Sequence, residues 1–139
     1  MATKTKEESV KFWLNSCRDD FETAKAMLGA RRYNYAMFMC QQALEELLKA
    51  IIVTQTNDNP PYIHDLVLLS KKINLKFPKD IQQNLRGINP HYIVARYKPK
   101  RFDPEVYNRT SAKKTIKITE EIIEWLIERT ELRKYSGNS

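Results

Sequence analysis

A chain of 139 residues, 42% of them apolar, is long enough to bury one core without staples, and three glycines are too few for a protein of tight turns and sheets. Two cysteines and two distant histidines match no zinc-ligand spacing, and no run nears the roughly 18 apolar residues of a membrane span, so a cytoplasmic protein without metal, cofactor or membrane anchor is expected. The formal net charge of +7 favours polyanions as partners without singling one out.

The expected architecture is a single all-α domain over residues 1–139, an up-down bundle of four or five helices. The first helix starts between Thr5 and Ser9, with Glu7 and Glu8 in the first turn, where the helix dipole favours acids. Val10, Trp13, Leu14, Cys17, Phe21, Ala24 and Leu28 form its apolar stripe, and Gly29 is the expected C-terminal cap. The turn is short, so the next helix runs antiparallel to the first. That second helix covers Arg32 to Ile52. Ala36, Met37, Cys40, Ala43, Leu44, Leu47, Leu48 and Ile51 recur in it at three- and four-residue intervals and predict a wide buried face. Beside that face Gln41, Glu45 and Lys49 stand one turn apart, a row that fits either a solvated edge or a specific polar seam.

The stretch TNDNPPYIHD must be a loop. Asp65 caps a shorter helix carrying Leu66, Leu69 and Ile73, and Pro78 to Asp80 opens another with Ile81, Leu85 and Ile88. Asn89 and Pro90 interrupt that helix, and the segment after them reads as an irregular connection. From Ser111 onward Ala112, Ile116, Thr119, Ile123 and Leu126 share one face, widened by Ile122 and Trp125, and predict a long closing helix. The tail KYSGNS is polar and expected to fray.

Two stretches carry candidate chemistry. Between Arg96 and Lys117 stand Arg96, Lys98, Lys100, Arg101, Arg109, Lys113, Lys114 and Lys117, against only Asp103 and Glu105, with Tyr92, Tyr97, Phe102 and Tyr107 interleaved. Cations for phosphate and rings for bases suit a single-stranded nucleic acid. The same composition fits a solvated basic loop whose rings tuck into the bundle. In RGINPH, Arg86 precedes His91 by five residues. An imidazole moving protons and a guanidinium stabilising charge on phosphorus are the parts of metal-independent RNA cleavage. That spacing also arises by chance, and His91 beside Pro90 equally fits a helix cap. His64 reads more simply as a loop anchor than as a catalyst.

Taken together these residues resemble the HEPN domains (higher eukaryotes and prokaryotes nucleotide-binding). Trp13 with Asp20 and Ala24 is similar to the family's first helix. Tyr33, Ala36 and Phe38, leading into Gln41, Gln42, Ala43, Glu45, Leu48, Lys49 and Ala50, resemble its QQAxExxLKA pattern. His64, Asp65 and Leu66 look like the HDL that follows, and YIVARYK resembles the YxxxRYP element of one branch, with Lys98 in place of proline. The resemblance implies a helical bundle that dimerises, an association with nucleotide or RNA chemistry, and, for many prokaryotic members, a minimal nucleotidyltransferase antitoxin as partner. It also implies that Gln41, Gln42, Glu45, Lys49, His64 and Asp65 form a signature polar seam.

In active members of that family an Arg, four to six residues and a His meet across the dimer. Arg86 and His91 match that spacing, although Gly87 replaces the usual polar neighbour. If YIVARYK is instead aligned with the HxY end of the motif, Arg96 falls where the histidine belongs, and an arginine binds phosphate but takes no proton at neutral pH. Three readings follow. The preferred one is a homodimer binding nucleotide or RNA phosphate through Arg86, His91, Arg96, Tyr97, Lys98, Lys100 and Arg101. The second is an endoribonuclease toxin using Arg86 and His91, and the third is a structural partner subunit without ligand.

Overall fold

The computed structural model describes residues 5–136, which contain no strand. Two 24-residue helices, α1 (Lys6–Gly29) and α2 (Tyr33–Thr56), form an antiparallel hairpin. Shorter elements follow: α3 (Leu66–Lys71), α4 (Lys79–Ile88), a 3-10 turn Asn89–Tyr92, α5 (Val94–Tyr97) and a second 3-10 turn Pro99–Phe102. The long α6 (Arg109–Glu128) then packs along α2, and α7 (Arg133–Ser136) ends the described chain. This is the all-α bundle expected from the sequence.

Local chemistry sets most boundaries. At the start of α1 the Thr5 hydroxyl accepts the Glu8 N–H at 3.1 Å, while the Glu8 carboxylate accepts the Thr5 N–H at 3.3 Å, a reciprocal capping box. Asn108 and Ser111 make the same pair at the start of α6. The end of α1 departs from expectation. Gly29 is its last helical residue, and the left-handed position falls two residues later on Arg31, at φ 62°. The Arg31 N–H returns to Leu28 and the Arg32 N–H to the Met27 carbonyl at 2.8 Å, the bond pattern of a Schellman cap. Helix α2 stops at Asn57, φ 60°, a residue type that tolerates this conformation.

The core is organised around α2, in which every residue from Leu47 to Thr54 is buried, so that this half of the helix is covered on all sides. Leu14, Cys17, Leu44, Leu47, Ile51, Leu66, Leu85 and Leu126 belong to the main cluster. A smaller cluster at the N-terminal end of α2 joins Ala36, Met37 and Phe38 to Ala95, Tyr107 and Ala112, and so seats the segment after α4 on that end. On α6 the buried line is Ala112, Thr115, Thr119, Ile122 and Leu126, with Ile116, Ile123 and Trp125 half-buried at its flanks. The small threonines suit a helix lying close against its neighbour.

Just before the tail Leu132 is fully buried, and within it Tyr135 packs on the main cluster. Residues 1–4 and 137–139, parts of the polar N-terminus and tail, lie outside the described residues. Among the described residues no helix is long and apolar enough to cross a membrane.

Candidate functional site

Gln41, Glu45 and Lys49 sit on successive turns of α2 and are 0%, 4% and 4% exposed, so the row is buried and not a solvated edge. The Glu45 carboxylate is its centre. Lys49 Nζ donates to Oε2 at 3.0 Å, and His64 Nδ1 lies 3.1 Å from both carboxylate oxygens. Gln41 Nε2 donates to the His64 carbonyl at 2.8 Å and reaches Oε1 of Glu45 at 3.5 Å. On α1, the Trp13 ring lies 5.3 Å from the Lys49 ammonium. A buried ion pair is tolerated only when such additional bonds replace lost water.

The His64 ring is half exposed and stacks on Tyr92, 4.3 Å between centroids at 17°. A carboxylate only accepts, so Nδ1 is the donor to Glu45; among the described residues Nε2 has no hydrogen bond. His64, Asp65, Asn89, Pro90, Tyr92 and Ile93 line a shallow cavity of about 330 Å³. Asp65 and Asn89 are partly committed to the backbone: Asp65 Oδ1 accepts the Val67 and Leu68 N–H groups, and Asn89 Oδ1 accepts that of Leu66 at 2.8 Å. Gln42, the remaining signature glutamine, is half-buried, and its Oε1 has no hydrogen-bond partner among the described residues.

Next to Glu45 stands a residue that sequence reasoning passed over. Burial, then the hydrogen bond and charge of Asp20 and the charge of Glu45, push the Glu46 carboxyl up to about 9, so it is protonated at neutral pH. Its signal in the sequence is the EE doublet, one member of which must leave the Glu45 row.

The RGINPH stretch spans two elements. α4 continues through Gly87, where an added Cβ meets nothing within 4 Å. Arg86 is exposed and lines a cavity between α3 and α4. His91, on the following 3-10 turn, places Nδ1 2.8 Å from the Tyr107 hydroxyl with the two rings edge to face. Burial lowers the His91 pKa to about 4 and raises that of Tyr107 to about 12. His91 is therefore a neutral imidazole held by a neutral phenol.

The four aromatic residues of the basic segment part company. Tyr107 is 6% exposed and Tyr92 lies against His64, whereas Tyr97 and Phe102 are 65% and 73% exposed. The Arg96 guanidinium is 4.9 Å from the Phe38 ring and 5.4 Å from that of Tyr97. That of Arg101 stands 4.6 Å from Phe102, and Arg101 Nη1 also donates to the Arg96 carbonyl. Lys98 and Lys100 are exposed and make no ion pair among the described residues. Of the two nearby acids, Asp103 accepts the Glu105 N–H at 2.9 Å. Among the described residues no three His, Cys, Asp or Glu side chains gather as a metal site.

No curated protein matches the chain. Among solved structures, TT1696 from Thermus thermophilus shares the fold with a TM-score of 0.76 at 23% identity, over 86% of this chain and 96% of that one. ST0689, an archaeal HEPN homologue, superimposes with a TM-score of 0.69, also at 23% identity and over the same shares of each chain. The family profile of the HEPN domain matches residues 10–130, and the chain belongs to the HEPN domain family.

Proposed function

We propose that this HEPN protein binds the phosphates and bases of a nucleotide or single-stranded RNA on the segment from Arg96 to Phe102. One observation carries the reading: Tyr97 and Phe102 expose their rings beside guanidinium groups, with the unpaired cations Lys98 and Lys100 between them. Exposed rings offer stacking faces to any base, and free cations on the same short segment neutralise the adjoining phosphates. A merely solvated basic loop has no need to hold two large rings in water.

Binding is favoured over cleavage by Arg86 and His91. A base whose pKa is near 4 removes a hydroxyl proton poorly at neutral pH, and His91 Nδ1 is already engaged by Tyr107. Family membership supports a homodimer and a minimal nucleotidyltransferase partner, as in toxin-antitoxin pairs.

Fluorescence anisotropy with a labelled single-stranded RNA tests the binding reading. Affinity is expected to fall linearly with salt on logarithmic axes, and replacing Lys98 and Lys100 by Ala is expected to lower that slope by about 0.7 per lost contact. Binding that ignores salt, or a slope unchanged in the double variant, removes the proposal.

A further inference from the structure

Between α3, the connection 72–78 and α4 lies a cavity of about 360 Å³, in the size range of small-ligand sites. Its floor is apolar, with Ile73, Phe77 and Leu85 buried beneath it. Three cations on three different segments line the same space: Lys71 at the end of α3, Lys76 in the connection and Arg86 in the last turn of α4. No Asp or Glu lines it, and none of the three cations makes an ion pair among the described residues. Gln82 is held at the edge by donating Nε2 to the Phe77 carbonyl at 2.8 Å, and the Ser70 hydroxyl donates to the Val67 carbonyl at 2.7 Å.

Favourable placement at helix C-termini accounts for Lys71 and Arg86. It accounts neither for Lys76 nor for a hollow left over buried side chains. Like charges around a concavity with low-dielectric walls focus a positive potential into it, and an anion there relieves their mutual repulsion. The apolar floor asks in addition for a ligand with a hydrophobic body.

We propose that this cavity binds a small organic anion, an apolar ring-sized body resting on Ile73, Phe77 and Leu85 whose single phosphate or carboxylate head sits among Lys71, Lys76 and Arg86. The site is separate from the Arg96 to Phe102 segment, and its test does not depend on RNA binding.

The probe is 1-naphthyl phosphate, followed through backbone amide shifts in NMR. Saturable shifts are expected at Ser70, Ile73 and Gln82, with 1-naphthol and inorganic phosphate each at least about tenfold weaker because each supplies only half of the recognition. Lys76→Glu and Arg86→Glu are each expected to weaken binding by about tenfold or more. Gln82→Trp, which fills the hollow from an exposed position, is expected to abolish binding with an unchanged circular dichroism spectrum. Lys98→Glu is expected to leave it untouched. The proposal is overturned by absence of saturable shifts up to about 5 mM probe, by equal binding of 1-naphthol, by charge-reversed variants of unaltered affinity, or by shifts that map to residues 96–102.

Discussion

His64 Nδ1 lies 3.1 Å from both carboxylate oxygens of Glu45, a group only 5% exposed that also carries the Lys49 ammonium. Removing this carboxylate strands a buried lysine. Glu45→Ala is therefore expected to cost about 3–5 kcal/mol in urea unfolding, while His64→Ala, from a half-exposed ring, costs about 1–2 kcal/mol. A Glu45→Ala protein as stable as the parent would show that Lys49 finds water or another partner.

Acid stability should depend on His91. Its pKa is lowered in the folded protein from the ordinary 6.5 to about 4, so over that interval the unfolded chain binds more protons than the native one. Stability is then complete above about pH 6.5 and falls as pH drops toward 4, by as much as about 3 kcal/mol. His91→Gln keeps a partner for Tyr107 but does not titrate. The variant should lose this part of the acid slope, and an unchanged slope would place the titrating group elsewhere.

Glu46 works in the opposite sense. Its folded pKa is raised from 4.5 to about 9, so its contribution is fully present below pH 4.5 and is lost as pH rises through 9. Glu46→Gln should flatten the decline of the melting temperature over that window. It should leave the acid limb set by His91 in place.

Arg31 occupies the left-handed position of the α1 cap at φ 62°, which costs a side-chain-bearing residue about 1 kcal/mol relative to glycine. Arg31→Gly should raise stability by up to that amount. A loss in its place would mean that the flexibility glycine gives the unfolded chain outweighs the strain relieved.

The exposed rings give a prediction with a built-in control. Tyr97→Ala and Phe102→Ala should each weaken single-stranded RNA binding by about 1–3 kcal/mol. Because both rings stand in solvent, the melting temperature should hardly move. Tyr107→Ala should do the reverse, lowering stability through a lost core ring and leaving RNA contacts largely intact.

Sequence periodicity was most informative where helices are long. The rows of α1, α2 and α6 sit at three- and four-residue spacing, and the caps at Thr5 and Asp65 are residue types that accept the free N–H groups of a first helical turn. The aromatics at 92, 97, 102 and 107 recur every fifth residue, a spacing that fits neither a strand nor a helix. Which of them point inward is settled by tertiary contact alone: Tyr107 by His91 and the Ala36 cluster, Tyr92 by His64. Leu132 lies in the turn between α6 and the four-residue α7, where no period runs long enough to mark an inward face, so its burial was invisible. The pairing of His64 with Glu45 spans 19 residues and a loop, and no local rule reaches that far.

Cys17 and Cys40 face inward from α1 and α2, and neither has any exposed surface. Burial pushes both thiols upward, that of Cys40 to about 12, so at neutral pH neither offers a thiolate. A thiol reagent must wait for the helices over them to part, and beside Cys40 stands Thr119 of α6. The native protein thus carries its own clock: the rate at which a disulfide dye labels these two sulfurs reports how often the bundle opens around α1 and α2, with no probe engineered into the chain.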